Sequence, residues 1–192
     1  VHFAVDDDNI RMCTWLCGKS SWFLPFDKGL NGGAGNPVNP NGLRTSYLWE
    51  DILKKESLSD ILENYAQVVK KKDEKTGKEK VSVVWPRYHQ LEVVRQLLAE
   101  TRAKGVGQRY LIQHSAGSGK SNSITWLAYQ LVGLLDGTEP LMDSVIVVTD
   151  RVNLDKQIRD NIASFKRLSN LVAWADSAET LRKNLESGKK II

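Results

Sequence analysis

The octapeptide HSAGSGKS, His114–Ser121, constrains this chain more than any other stretch. Before it, RYLIQ reads as a strand, with Tyr110–Gln113 running into the loop. After it, KSNSITWLAYQLVGLL reads as a helix with Ile124, Leu127, Ala128, Leu131, Leu134 and Leu135 on one face. A strand, a glycine-bearing loop ending in Gly-Lys-Ser and a helix together form a phosphate cradle. Backbone N–H groups and the helix N-terminus surround the β- and γ-phosphates of a nucleotide. Gly117 and Gly119 permit the tight path and close approach. Lys120 reaches the phosphate oxygens, and the hydroxyl of Ser121 is suited to Mg²⁺. Ser118 and Asn122 complete the run of candidate nucleotide contacts. One position departs from the usual G-x-x-x-x-G-K-[ST] spacing, because His114 stands where the first Gly is expected.

The segments around the loop predict an α/β fold. VSVVW is a short strand, and Pro86 suits the first turn of a helix, RYHQLEVVRQLLAETRAK, that stops at Gly105. SVIVVT is nearly all apolar, as a strand buried on both faces is. LDKQIRDNIASF reads as a helix, LVAWA as a strand, AETLRKNLES as a helix and KKII as a final strand. Alternating strands and helices imply a parallel sheet with right-handed crossovers.

The first part of the chain reads differently. VHFAV and IRMCTWL flank DDDN as a β-hairpin, and SSWFLPF continues the aromatic pattern. Asn31–Gly42 is too rich in Gly, Asn and Pro to be anything but a loop. Pro37 and Pro40 sit where a dinucleotide-binding helix would begin, which excludes that reading. Two helices follow. Thr45 or Ser46 is the expected cap of the first, and Ser57 with Asp60 that of the second. In the second, Leu58, Ile61, Leu62, Tyr65, Val68 and Val69 form one apolar stripe.

Between these parts lies KKKDEKTGKEK, Lys70–Lys80, with six Lys against three acids in a chain of net charge +4. It reads as a solvated linker or turn, with a DNA-touching loop as the sharper alternative. The division expected from composition is therefore 1–69, a Lys-rich linker over 70–80, and 81–192. Cys13 and Cys17, at the ends of CTWLC, fit neither a redox pair nor half of a zinc site. They read as free thiols on one strand face, in keeping with a reducing cytoplasm. No apolar run is long enough for a transmembrane helix, and the start does not resemble a signal peptide. The chain begins at Val1 and its last residues read as a strand cut short, so it reads as an internal piece of a longer protein.

Two stretches beside the cradle carry a resemblance. PRYHQ, Pro86–Gln90, resembles the adenine-reading element of superfamily 2 helicases and translocases, in which a Gln amide pairs with the base. Gln90 has both a donor and an acceptor for that role; the plain alternative is a solvent-facing residue near a helix start. Arg87, in the same element, is a further candidate nucleotide contact. VIVVTDRVNLDKQ, Val145–Gln157, resembles the next motif of that class, where a loop touches the nucleic-acid backbone. Thr149 and Arg151 are the candidate phosphate contacts there. The blocks VHFAVDDDNIRMCTWL, FLPFDKG, GAGNP, YLW, PRYHQLEVVRQLL and YLIQHSAGSGKSNSI extend the likeness over nearly the whole chain. Together they look like the R subunit of type I restriction enzymes, including its unusual His114.

That resemblance implies an ATP- and Mg²⁺-dependent pump of double-stranded DNA and an endonuclease. It also implies methylation and specificity subunits as partners in a bacterial or archaeal cytoplasm, and no membrane. This chain would span the end of the nuclease domain, a smaller α+β region, and part of the first RecA-like motor lobe with its parallel sheet. The nuclease carboxylates would precede Val1, while the acidic motif and second-lobe arginine that complete the ATPase would follow Ile192. Phosphoryl transfer needs all of those parts, so the chain alone is expected neither to hydrolyse ATP appreciably nor to cut DNA. The Gly-rich loop is expected to be a structural connection. Two other readings fit a phosphate cradle: a small P-loop kinase and a non-catalytic nucleotide-binding module.

Overall fold

The computed structural model describes residues 1–72, 77, 79–150, 156, 158–162 and 170–192. The chain divides into two compact units, Val1–Leu91 and Glu92–Ile192. No helix among the described residues is long and apolar enough to cross a membrane.

In the first unit the expected hairpin forms. Strands β1 (His2–Val5) and β2 (Ile10–Cys13) pair antiparallel from His2↔Cys13 to Val5↔Ile10. The turn is made by Asp6, whose Oδ1 accepts the backbone N–H groups of Asp8 at 2.8 Å and Asn9 at 2.7 Å. Those bonds hold its carboxyl below the ordinary carboxylate range. A two-residue strand β3 (Leu24–Pro25) adds to β2. Because β2 stops at Cys13, the two thiols do not share a strand face. Cys13 is buried, with its thiol donating to the Trp15 carbonyl, while Cys17 is exposed; both are free.

The Gly-rich loop clamps this hairpin through one side chain. Asn36 is 2% exposed. Its Oδ1 accepts from the backbone N–H of Lys28 at 2.8 Å. Its Nδ2 donates to the Asp8 carbonyl at 2.9 Å and to Asp27 Oδ1 at 3.0 Å. Asp27 in turn accepts the backbone N–H of Ile10. Thr45 does not cap a helix; its hydroxyl donates to the Asp6 carbonyl at 2.8 Å and ties the far end of the loop to the turn. Above this lies an aromatic cluster of edge-on rings: Phe3–Phe26 at 5.3 Å, Phe26–Tyr88 at 6.0 Å and Tyr47–Tyr88 at 5.2 Å. The buried Tyr47 hydroxyl donates to the Phe26 carbonyl. Burial, helped by the Asp27 charge, pushes that phenol well above its ordinary pKa.

The two helices expected next are shorter than their apolar stripes suggest. Leu48–Ile52 forms a π-helical turn, and Ser46 bonds Glu50 across it. Helix α1 (Lys55–Asn64) starts two residues before Ser57, which therefore lies inside its first turn rather than capping it. Asp60 bonds Asn64 instead. The helix ends at Asn64, so Ile61 and Tyr65 are buried while Val68 and Val69 fall outside it. Those β-branched residues belong to strand β4 (Gln67–Lys72), which pairs antiparallel with β5 (Glu79–Val84). VSVVW is thus half of a hairpin, and the Lys-rich segment supplies the inner ends of both its strands. Its turn, residues 73–76 and 78, lies outside the described residues; Gly77 there has φ +67°.

Helix α2 (Tyr88–Lys104) ends at Gly105, whose φ of +71° suits a left-handed stop. In the second unit helix α3 (Lys120–Leu131) is shorter than expected. Leu134 and Leu135 leave it, and Leu135–Asp136 pairs with Glu139–Pro140 around Gly137. Strands in this unit are rudimentary. Residues 190–192 lie between 145–147 and 171–173, joined by parallel bridges Val145↔Ile191 and Val172↔Ile191. Backbone bonds run from Val145 N–H to the Lys190 carbonyl, from Val147 N–H to that of Ile192, and from Ala173 N–H to that of Ile191. Against these segments pack Ala128, Ile158, Ile162 and Ile191, with Ile124, Val132, Val145, Val147 and Val172 around them. SVIVVT is not buried on both faces: Ile146 is 48% and Val148 87% exposed, alternating with half-buried neighbours. Tyr110–Gln113 is assigned to no strand, and Leu111 is 93% exposed. A strand exists only where a neighbour completes its ladder. The helix expected over Leu154–Phe165 is described only at 156 and 158–162, which are helical. The helix Ala178–Glu186 forms as expected, with Ser177 accepting the Thr180 N–H.

If Asn36 holds the hairpin to the Gly-rich loop, Asn36→Ala takes its bonds from the Lys28 N–H and the Asp8 carbonyl, while Asp27 keeps the Ile10 N–H. Each part-buried group so stranded costs about 1–2 kcal/mol. Urea unfolding of the first unit is expected to show a loss of about 2–4 kcal/mol; a change below about 0.5 kcal/mol shows that water replaces the amide.

Candidate nucleotide-binding site

Six of the candidate residues, Gly117, Ser118, Gly119, Lys120, Ser121 and Asn122, form one continuous run at the start of α3. Gly117 has φ +72° and Gly119 φ +81°, the left-handed region that costs an L side chain roughly 1–2 kcal/mol. At Gly117 a Cβ would meet nothing within 4 Å, so glycine is required there by backbone conformation and not by crowding. Gly119 is the N-cap of α3, and no side chain caps this helix. The turn is closed by the Ser118 N–H to the Ser115 carbonyl, and the helix opens with the Asn122 N–H to the Gly119 carbonyl at 3.0 Å. Ser118 is buried, and Gly117 and Lys120 are exposed.

Lys120 bends back over the loop. Its Nζ donates to the His114 carbonyl at 3.1 Å and the Ser115 carbonyl at 2.8 Å. The ammonium therefore lies across the mouth of the loop, on acceptors far weaker than a phosphate oxygen. His114 contributes its carbonyl to this arrangement, a role that any residue type supplies. Lys120, His114 and Ser123 also line a small apolar cavity of about 130 Å³ with Val93, Val94 and Ile112.

Ser121 lies in the first turn, half-buried, with its carbonyl accepting from the Thr125 hydroxyl at 2.9 Å. Among the described residues no three His, Cys, Asp or Glu side chains are grouped to hold a metal. A Mg²⁺ ion at this loop would rest on the Ser121 hydroxyl and on the phosphates, for which a first-turn hydroxyl fits. Asn122 Oδ1 accepts from Asn161 Nδ2 at 2.8 Å, so its side chain braces α3 against a second helical stretch. Asn161, distant in sequence and in no local pattern, gave no signal of this.

Arg87 and Gln90 belong to the first unit. Gln90 is 3% exposed, which removes the solvent-facing alternative. Its Oε1 accepts the backbone N–H of Arg87 at 2.9 Å, and its own N–H bonds the Arg87 carbonyl at 3.0 Å. That is the reach-back half of a capping box, three residues into a helix whose start Pro86 had marked. Arg87 is half-buried, and burial draws its guanidinium pKa downward while leaving it charged.

Thr149 lines a separate cleft of about 380 Å³ where the parallel segments end, together with Arg159, Trp174 and Ser177. The Arg159 guanidinium lies 4.9 Å from the centre of the Trp174 ring. The ends of parallel segments are a common place for ligands. Nothing local in the sequence marks Arg159 and Trp174 as neighbours of Thr149, because their approach depends on the folding of separate segments. Arg151 lies outside the described residues.

A family model described as SWI2/SNF2 ATPase matches residues 89–192, more than half of the chain. No curated protein and no solved structure matches it. The matched residues begin within the first turn of α2 and include the whole stretch His114–Ser121.

The capping bond allows two roles of Gln90 to be separated. Glu at this position keeps the acceptor that caps α2 and removes the amide donor that adenine needs. Gln90→Glu is expected to leave thermal stability nearly unchanged, whereas Gln90→Ala costs about 1 kcal/mol. If Gln90 also reads adenine, competition binding shows both variants losing preference for ATP over GTP. Equal destabilisation of both variants shows that the side-chain acceptor does not hold the helix start.

Proposed function

The chain belongs to the SWI2/SNF2 ATPase family, and we propose that it is part of the R subunit of a type I restriction enzyme. Family membership makes residues 89–192 part of a nucleotide-binding, helicase-like ATPase. The finer reading, an ATP-dependent double-stranded DNA translocase and endonuclease, draws its support from both halves. In the first unit, the blocks that resemble the R subunit include the hairpin, the loop that Asn36 clamps to it, and the PRYHQ element. In the second, the observation that carries the reading is the glycine-started helix with Lys120 folded onto the His114 and Ser115 carbonyls. Such a helix start offers backbone donors and a positive dipole end to an anion.

On this reading Gly117–Asn122 grip the triphosphate, Ser121 holds Mg²⁺, and Gln90 with Arg87 meets the base side of ATP. Thr149 and Arg151 contact the DNA backbone. The RecA-like sheet of the first motor lobe is built on the parallel segments 145–147, 171–173 and 190–192. Methylation and specificity subunits select the DNA site, and cleavage belongs to the assembled enzyme.

The test starts with binding. The chain is titrated with a fluorescent ATP analogue and Mg²⁺. Lys120→Ala is expected to weaken binding about 10–100-fold, from the roughly 1.5–3 kcal/mol of a charged hydrogen bond. In the assembled enzyme the same variant is expected to lose ATP hydrolysis on duplex DNA while site recognition survives. Normal ATP use by the variant overturns the phosphate-loop assignment, and phosphate transfer to a small acceptor in place of DNA-stimulated hydrolysis establishes a kinase.

A further inference from the structure

We propose that Tyr88 is a positioning residue for the base-reading element: its ring seats Arg87 and Gln90 on the aromatic cluster of the first unit, and so sets how well adenine is told from other bases. The inference rests on the base-side role given above to Gln90 and Arg87, and it adds a residue that acts through them. Tyr88 stands between those two in the chain, is buried, and is the first residue of α2.

The capping bond fixes this element only relative to itself. Gln90 Oε1 accepts the Arg87 N–H at 2.9 Å, so both ends of that bond lie inside the element. Where the element sits on the unit is a separate matter, and the Tyr88 ring decides it. That ring meets Tyr47 at 5.2 Å and 74°, and Phe26 at 6.0 Å and 87°. Both contacts are edge-to-face, the arrangement that ring quadrupoles favour, so together they fix the orientation of the ring as well as its distance. The two supporting rings are themselves anchored. The Phe26 N–H donates to the Ile10 carbonyl of β2 at 2.9 Å, and Phe3 of β1 packs edge-on against the Phe26 ring. The Tyr47 hydroxyl donates to the Phe26 carbonyl at 2.8 Å. The seat of Tyr88 is thus tied to the β1–β2 hairpin by ring contacts and hydrogen bonds. Gln90 and Leu91 are buried as well, so a shift of the Tyr88 ring carries the residues beside it.

A side-chain amide that reads a base needs placement to within about 0.5 Å, held by packing behind it. Its hydrogen bonds weaken steeply once distance or angle leaves the normal range. A displaced element therefore loses base choice before it loses its helix, because the Gln90 cap is local and survives the move. Tyr88 is the side chain whose loss has that signature: it belongs to the element, and its ring partners do not.

The experiment uses the whole chain with Mg²⁺. ATP and GTP affinities are read by displacement of a fluorescent ATP analogue, at a temperature where circular dichroism shows every variant folded. Tyr88→Leu keeps apolar bulk and removes the ring. It is expected to reduce the preference for ATP over GTP about threefold to tenfold, the worth of one neutral hydrogen bond. Tyr88→Phe keeps both ring contacts and is expected to stay within about twofold of the parent chain. Phe26→Leu alters the seat, leaves Tyr88 in place, and is expected to lower the preference in the same direction. Ile61→Ala, at a fully buried position of α1, destabilises the same unit and is expected to leave the preference as it is. Because Tyr88 acts through Gln90, the double variant Gln90→Glu/Tyr88→Leu is expected to lose no more preference than Gln90→Glu alone. Tyr88→Met gives a second reading should Tyr88→Leu not fold.

An unchanged preference in Tyr88→Leu, beside a Gln90→Glu chain that loses it, overturns the inference and leaves the base-reading role intact. So does an equal loss in Ile61→Ala, or losses that add in the double variant. A Gln90→Glu chain that keeps the preference of the parent overturns the base-reading role itself, and the inference with it.

Discussion

An α-helix starts with four N–H groups that its own turns cannot satisfy. Helix α3 starts on a glycine, which has no side chain to cap them. The rest of the candidate site follows from that choice. Gly117 and Gly119 take left-handed conformations so that the loop can turn over the helix end. Lys120, the first helical residue, folds its ammonium across the same opening. The helix Ala178–Glu186 shows the alternative in the same unit: there the Ser177 hydroxyl caps the start by accepting the Thr180 N–H. One unit thus contains one helix start capped by a side chain and one that no side chain caps.

Support for α3 comes from behind. Asn122 is held by Asn161, and the apolar side of the helix meets Ile158, Ile162 and the three parallel segments. In the first unit Asn36 takes the equivalent part. A single buried amide joins the β1–β2 turn, the strand leading to Asp27 and the Gly-rich loop. The loop's many glycines and prolines give it no ladder of its own, so its position depends on that amide and on the Thr45 hydroxyl.

Strands and helices differ in how far local sequence foretold them. Helix starts were legible at Pro86 and Lys120, whereas the caps expected at Thr45 or Ser46 and at Ser57 did not form. Helix ends were less legible. The apolar stripe of α1 ran on through Val68 and Val69, yet pairing with Val83 and Ser82 drew those residues into a strand. Periodicity cannot weigh a stripe that continues a helix against β-branched residues that gain a partner strand. The same limit explains Tyr110–Gln113 and SVIVVT, whose apolar composition announced strands but whose ladders need neighbours. The amide of Gln90 is legible in the sequence for its chemistry, but its capping bond depends on α2 starting just after Arg87.

By itself, the sequence determined the glycine turn before α3, the hairpin at Asp6 and the starts of α2, α3 and the helix Ala178–Glu186. Each depends on residues within a few positions of one another, through left-handed glycines, side-chain caps or a tight turn. Tertiary structure alone decided that Asn36 is a clamp, that Asn161 braces Asn122, and that Arg159 meets Trp174. Those contacts join residues eight to thirty-nine positions apart. At such separations the chain must close a loop before the contact is made, and no local pattern records which closure wins.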